Sequence, residues 1–254
     1  MLRIRDLGAL DGSILLFGGP YSNLEATKAV LQAATDNAIP VERIILTGDI
    51  IGYCGNPAET LELIRKSGVA AVAGAVESQL GDAGATMEEP WYRHAEASLA
   101  KSDRDWLAGL PQRLLFRHQG KRYVVFHGTA GHPESYLWRI SNEDDFWRHI
   151  SLLQEEVGVI DAVIAGQTGI AFERWIDGVH WINPGAIGMP ANDGQQETVH
   201  AILQDGEVRF EPLGYDVAAA VAAMQAAGLT QGHEIALKTG YWPNDDMLPK
   251  SLRR

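Results

Sequence analysis

Six short apolar runs, at 13–17, 43–47, 69–73, 122–126, 162–165 and 179–182, each end within three residues of a glycine. Runs of Ile, Leu, Val, Phe and Ala with little polar alternation are what a strand covered on both faces looks like. Glycine at the strand end lets the chain turn sharply into whatever follows. After the first two runs the spacing becomes helical: 23–37 carries Leu24, Val30 and Leu31 on its inward side, and 57–67 carries Leu61 and Ile64. Strand, glycine and helix in repeated order predict a layered α/β fold with parallel strands, whose C-terminal ends share one edge where ligands bind. Gly19, Asp49 and Gly74 are therefore expected to lie close together.

Elsewhere the pattern is less regular. Residues 89–115 read as helical, with Trp91, Tyr92, Trp106, Leu107 and Leu110, and 135–157 as a charged helical excursion packed by Trp138, Phe146 and Trp147. HAILQ and VRFEPL alternate as strands, 217–227 is alanine-rich and helical by propensity, and the chain closes on a polar segment, GYWPNDDMLPKSLRR. With no internal repeat and no low-complexity linker, one domain over 1–254 is expected, the C-terminal tail beginning at about 214. Ser22 followed by Glu25 has the spacing of a capping box at the first helix.

Charge and cysteine content exclude some function classes. With 21 Lys and Arg against 33 Asp and Glu, the net charge of −12 repels nucleic acid and anionic membrane. Cys54 is the sole cysteine, so no disulfide forms within the chain and no four-cysteine zinc site exists. The first residues lack the continuous apolar core of a signal peptide, and no run reaches the roughly 18 residues of a membrane-spanning helix. A cytoplasmic protein is expected, with a homo-oligomer left open.

The ordered strand-end motifs, from about 13 to 203, resemble the calcineurin-like metallophosphoesterase superfamily, and most of all its small bacterial and archaeal phosphodiesterases. That resemblance implies a four-layer αββα sandwich of two mixed sheets flanked by helices. It also implies two metal ions at the strand ends, activating a water and clamping a phosphate ester. The family's D-x-H-G-N aligns with Gly19-Pro20-Tyr21-Ser22-Asn23, so both of its ligands are replaced. G-D is kept as Gly48-Asp49; G-N-H-D aligns with Gly74-Ala75-Val76-Glu77; H-G is kept as His127-Gly128. G-H-x-H aligns with Gly166-Gln167-Thr168-Gly169, and N-P-G is kept as Asn183-Pro184-Gly185.

Carried over position by position, one metal site would draw on Gly19, Tyr21, Asp49 and Gly169, and is expected to be lost. The other would draw on Asp49, Ala75, His127 and Gln167, a vestigial set for at most one weakly held divalent ion, manganese or zinc. Gly19, Tyr21, Asn23, Ala75, Val76, Glu77, Gly169 and Asn183 are expected to line the pocket. Tyr21 would either fill the space of a lost ion or stack on a ligand, and an Asp49–His127 pair would favour the charged imidazole. Glu77 and His132 are weighed as replacement ligands, although Glu77 is expected to point along the helix after Gly74.

Three functions stay open. The chain has lost dinuclear phosphoester hydrolysis and serves as a binding or regulatory module, with a small phosphorylated molecule as the candidate ligand; it is an active phosphoesterase with a mononuclear site at Asp49, His127 and Gln167; or it is a structural partner whose pocket is plugged.

Overall fold

A computed structural model describes residues 2–79, 88–128, 130 and 136–253. Five strands form one sheet in the order β11-β10-β2-β3-β4: β2 (Ile14–Phe17), β3 (Ile44–Leu46), β4 (Ala70–Ala71), β10 (Thr198–Gln204) and β11 (Glu207–Leu213). Its β2, β3 and β4 run parallel, while β10 pairs antiparallel with β2 and with β11. Six strands form the second sheet in the order β1-β5-β6-β7-β9-β8: β1 (Ile4–Ala9), β5 (Arg113–His118), β6 (Lys121–Phe126), β7 (Ala162–Ala165), β8 (Phe172–Ile176) and β9 (Val179–Asn183). Parallel and antiparallel pairs mix here too.

Alternate side chains of each central strand build separate layers, because successive Cβ atoms point to opposite faces. Ile14, Leu16 and Ile45 meet Phe116, Val125, Ile164 and Ile182 of the other sheet, and this shared core binds the sheets face to face. Leu15, Phe17, Ile44 and Leu46 face outward onto α1 (Leu24–Asp36) and α2 (Pro57–Ser67). Val124, Phe126, Val163 and Trp181 face the opposite way onto α6 (Glu143–Val157) through Phe146, Ile150 and Leu153. Two mixed sheets between helical layers result, and the strands read as unbroken apolar runs because both their faces are covered.

Several expected boundaries move. The helical reading of 89–115 holds only for α4 (Pro90–Ser98) and α5 (Lys101–Ala108); Leu114 and Leu115 belong to β5, where they bury into opposite layers. Within the excursion at 135–157 the helix begins at Glu143, and residue 135 lies outside the described residues. Asn23, not Ser22, caps α1: its side chain accepts from the Ala26 N–H at 3.1 Å, while Ser22 Oγ accepts from the Gly52 N–H at 3.1 Å. The capping box is absent because Ser22 is drawn across to the neighbouring loop. Two strands had no apolar signal to find. β1 is exposed along nearly its whole length at a sheet edge, and β8 carries charge at Glu173 and Arg174.

The alanine-rich stretch forms α7 (Val217–Ala226), as its propensity predicts, and with α8 (His233–Thr239) it packs Val221, Met224, Ala236 and Leu237 into a cluster with Tyr21, Cys54 and Met189. The segment beyond α8 thereby comes to lie over the strand-end loops.

Candidate functional site

Backbone hydrogen bonds stitch the strand-end loops together. The Gly19, Tyr21 and Ser22 N–H groups donate to the carbonyls of Gly48, Asp49 and Ile50, at 3.1, 3.1 and 2.9 Å. Ile187 and Gly188 donate to Gly18 and Gly19, each at 2.9 Å. Such close approach explains the glycines: a Cβ on Gly48, whose φ is +96°, would stand 2.8 Å from the Gly74 Cα and 3.0 Å from His127 Nδ1. Tyr21, Ser22, Asp49 and Gln167 all adopt left-handed φ, at 50°, 61°, 57° and 72°. That conformation is uncommon outside glycine and clusters where surrounding structure imposes a functional geometry.

Asp49 and His127 meet at the floor of a cavity. Asp49 Oδ2 is 3.3 Å from His127 Nε2, and both residues are buried. His127 Nδ1 lies 2.7 Å from the Thr47 carbonyl; a carbonyl only accepts, so Nδ1 carries the proton and Nε2 is the nitrogen turned toward the carboxylate. Burial alone would lower the imidazole's pKa, but the Asp49 charge and the Thr47 carbonyl outweigh it and raise the value to about 9. Asp49 Oδ1 accepts from the Val76 N–H at 3.4 Å.

Glu77 corrects the expectation that it points along its helix. In α3 (Ala75–Gln79) its carboxylate turns back to accept from the N–H groups of Gly74, Asp49 and Ile51 at 2.7, 3.0 and 3.1 Å. Burial and the nearby Asp49 charge raise its pKa to about 7. Its oxygens are committed to the backbone, so Glu77 clasps the Asp49 loop and is no spare ligand. His132 falls outside the described residues.

The remaining predicted residues divide into two groups. Tyr21, Asp49, Ala75, Val76, His127, Gln167 and Gly169 line one cavity of about 540 Å³. Gly19, Asn23, Glu77 and Asn183 are not among its lining residues, and their task is to shape the loops. Asn23 donates to the Gly188 carbonyl at 3.1 Å, besides capping α1. Asn183 donates at 2.8 Å to both the Gly166 carbonyl and Thr168 Oγ1, and accepts from the Gly185 N–H at 2.9 Å. Gly19 is covered by Tyr21, whose ring atoms would stand 2.5 Å from a Cβ at that position.

These residues do not fit two metal ions. Positions 19, 75 and 169 offer no donor side chain, Tyr21 offers a phenol held far above its usual pKa by burial and by Asp49, and Glu77 is engaged elsewhere. Among the described residues no group of three or more His, Cys, Asp and Glu is placed to share an ion. Asp49 and His127 do fit a single ion as a partial set. Two ligands about 2.1 Å from a tetrahedral ion stand roughly 3.4 Å apart, and their atoms are 3.3 Å apart. A histidine anchored through Nδ1 to a carbonyl is also the usual orientation of a metal ligand.

Sequence reasoning missed the upper walls. Tyr53, Trp91, Tyr136, His233, Trp242 and Met247 are also among the lining residues. Tyr53 lies at the centre of a ring array: its centroid is 5.1 Å from those of Tyr21 and Trp91, and 4.5 Å from that of His233, which stacks on it. Trp242 is pinned by its indole N–H, which donates to the Pro190 carbonyl at 2.6 Å, and by its backbone N–H, which donates to Asn192 at 2.8 Å. Trp91 was read only as part of the helical pattern at 89–115, and nothing local marked the others as cavity walls.

Comparisons with known proteins agree with this arrangement. Residues 21–206 match the calcineurin-like phosphoesterase superfamily domain. An uncharacterized protein of Methanocaldococcus jannaschii is 26% identical over 209 residues, covering 75% of this chain and 82% of that protein. A metallophosphoesterase from Sphaerobacter thermophilus superposes with a TM-score of 0.72 at 24% identity, over 90% of this chain and 99% of that one. A hypothetical protein from Pyrococcus horikoshii superposes at 0.76 with 15% identity, over 91% and 99%. These two likenesses speak for the fold, and the family match over most of the chain carries the conclusion: this chain belongs to the calcineurin-like phosphoesterase superfamily.

Proposed function

We propose that the chain keeps the fold and cleft of its family without dinuclear metal-dependent phosphoester hydrolysis, and acts as a binding or regulatory module. The observation that carries this reading is the Tyr21 ring, which fills the space of any side chain at position 19 and presents carbon where an ion pair needs oxygen and nitrogen donors. The substitutions at 75 and at the pair 167 and 169 lie in two separate strand-end segments and act in the same direction. A cavity of about 540 Å³ beside Tyr21 argues against a plugged pocket.

A second reading, a phosphoesterase with one ion at Asp49, His127 and Gln167, is favoured by the orientation of His127 Nε2. Elemental analysis and calorimetric titration with manganese and zinc, run on wild type and Asp49→Asn, separate the two. A binding module takes up neither ion tightly and hydrolyses a generic phosphodiester no faster than Asp49→Asn. One ion per chain, with manganese-dependent turnover that Asp49→Asn abolishes, would overturn the proposal in favour of the mononuclear enzyme.

A further inference from the structure

We infer that the cleft above Asp49 binds a compact organic cation, an ammonium group carrying an apolar body, in place of a phosphorylated molecule. This inference rests on the binding-module reading and names its ligand class. Five carbocyclic or indole rings, those of Tyr21, Tyr53, Trp91, Tyr136 and Trp242, line the cavity together with the Asp49 carboxylate. Rings converging on one space, with a carboxylate among them, are the arrangement that attracts a desolvated cation through the negative faces of the π systems.

Charge points the same way. Among the described residues no Lys or Arg lines the cavity, and of the residues outside that set only Arg254 is a Lys or Arg. A phosphate group would therefore enter without a guanidinium or ammonium to receive it, beside a carboxylate that repels it. His233 brings no positive charge, since burial lowers its pKa. His127 is already paired with the Asp49 carboxylate across 3.3 Å. Glu89 adds negative potential felt by both Tyr53 and His233. Packing alone accounts for Tyr53 against His233; it does not account for a cavity left open between the rings and an acid.

The test uses choline and benzyltrimethylammonium as probes, with 3,3-dimethyl-1-butanol as the neutral isostere of choline. Each is titrated into the full chain in the presence of a chelator, followed by calorimetry and tryptophan fluorescence. Saturable binding of either cation is expected, with choline at least about tenfold tighter than its isostere. Asp49→Asn and Tyr136→Leu should each weaken cation binding about three- to tenfold; Tyr136 is 37% exposed, so its replacement leaves the core intact. Equal binding of the neutral isostere, or no binding of either cation up to about 10 mM, would overturn the inference. Failure of the underlying reading has a different signature, namely manganese-dependent phosphodiester turnover lost in Asp49→Asn.

Discussion

The ring of Tyr21 lies in the space that a side chain at Gly19 would need, 2.5 Å from a Cβ built there. The two positions are therefore coupled, and a change at one is constrained by the other. Gly19→Asp alone should destabilise the protein by about 1–3 kcal/mol through overpacking. Gly19→Asp combined with Tyr21→His should recover part of that loss, because the smaller ring clears the space and Asp and His both tolerate left-handed φ. Chemical denaturation of the two single variants and the double variant measures the coupling. Strict additivity would show that the contact does not constrain the loop.

Glu77 holds three backbone N–H groups across two loops. Glu77→Gln keeps the shape but replaces one acceptor oxygen with a donor, setting it against N–H groups. A loss of about 1–3 kcal/mol is expected, together with faster hydrogen exchange at the Asp49, Ile51 and Gly74 amides. Unchanged exchange at those amides would mean that the clasp contributes nothing to the loop.

Proton binding by His127 should make stability depend on pH. Its folded pKa of about 9 lies above the ordinary 6.5, so the native state keeps a proton that the unfolded chain releases. The stabilisation is fully present below pH 6.5 and is lost as the pH rises through about 9, with a loss on the order of 3 kcal/mol. Glu77, raised from 4.5 to about 7, acts in the same direction at lower pH. Denaturation in chelator across this range should show stability falling for wild type, and a flatter upper limb for His127→Gln. Parallel curves would place the titration elsewhere.

Restoring the family's ligand pattern should restore metal. A chain carrying Gly19→Asp, Tyr21→His, Ala75→Asn, Gln167→His and Gly169→His has space for the last of these, since a Cβ on Gly169 meets nothing closer than 3.7 Å. Elemental analysis should find manganese in amounts approaching two ions per chain, against the untouched chain as control. A folded variant that gains no manganese would show that the scaffold itself, and not only its ligands, has moved away from metal binding.

Residues that act through the local chain were legible beforehand. The apolar runs ending at glycines predicted strands whose ends share one edge, and Asp49, His127 and Gln167 line one cavity there; the pairing of the strands into two mixed sheets was implied only by the resemblance to the family. The helical reading through Leu114 and Leu115 failed because two adjacent leucines suit a strand buried on both faces as well as a helix. Glu77 was misplaced for a related reason. Whether its carboxylate turns back depends on unpaired N–H groups of the 49–51 loop, which approach it only after β3 and β4 pair.

By itself, then, the sequence determined the apolar strand runs, the helices that follow them and their shared edge, since periodicity is a property of the chain alone; the four layers, and the reading of positions 19, 21, 75, 167 and 169 as replaced ligands, came from the resemblance to the family. Tertiary structure decided the rest: the orientation of His127 toward Asp49, the cover of Tyr21 over Gly19, and the ring walls. Tyr53 and Trp91 are far apart in sequence and meet ring to ring, and Trp242 joins the same cavity because the chain beyond α7 and α8 returns over the strand ends. Contacts between distant segments depend on how the layers pack, and no local pattern records that.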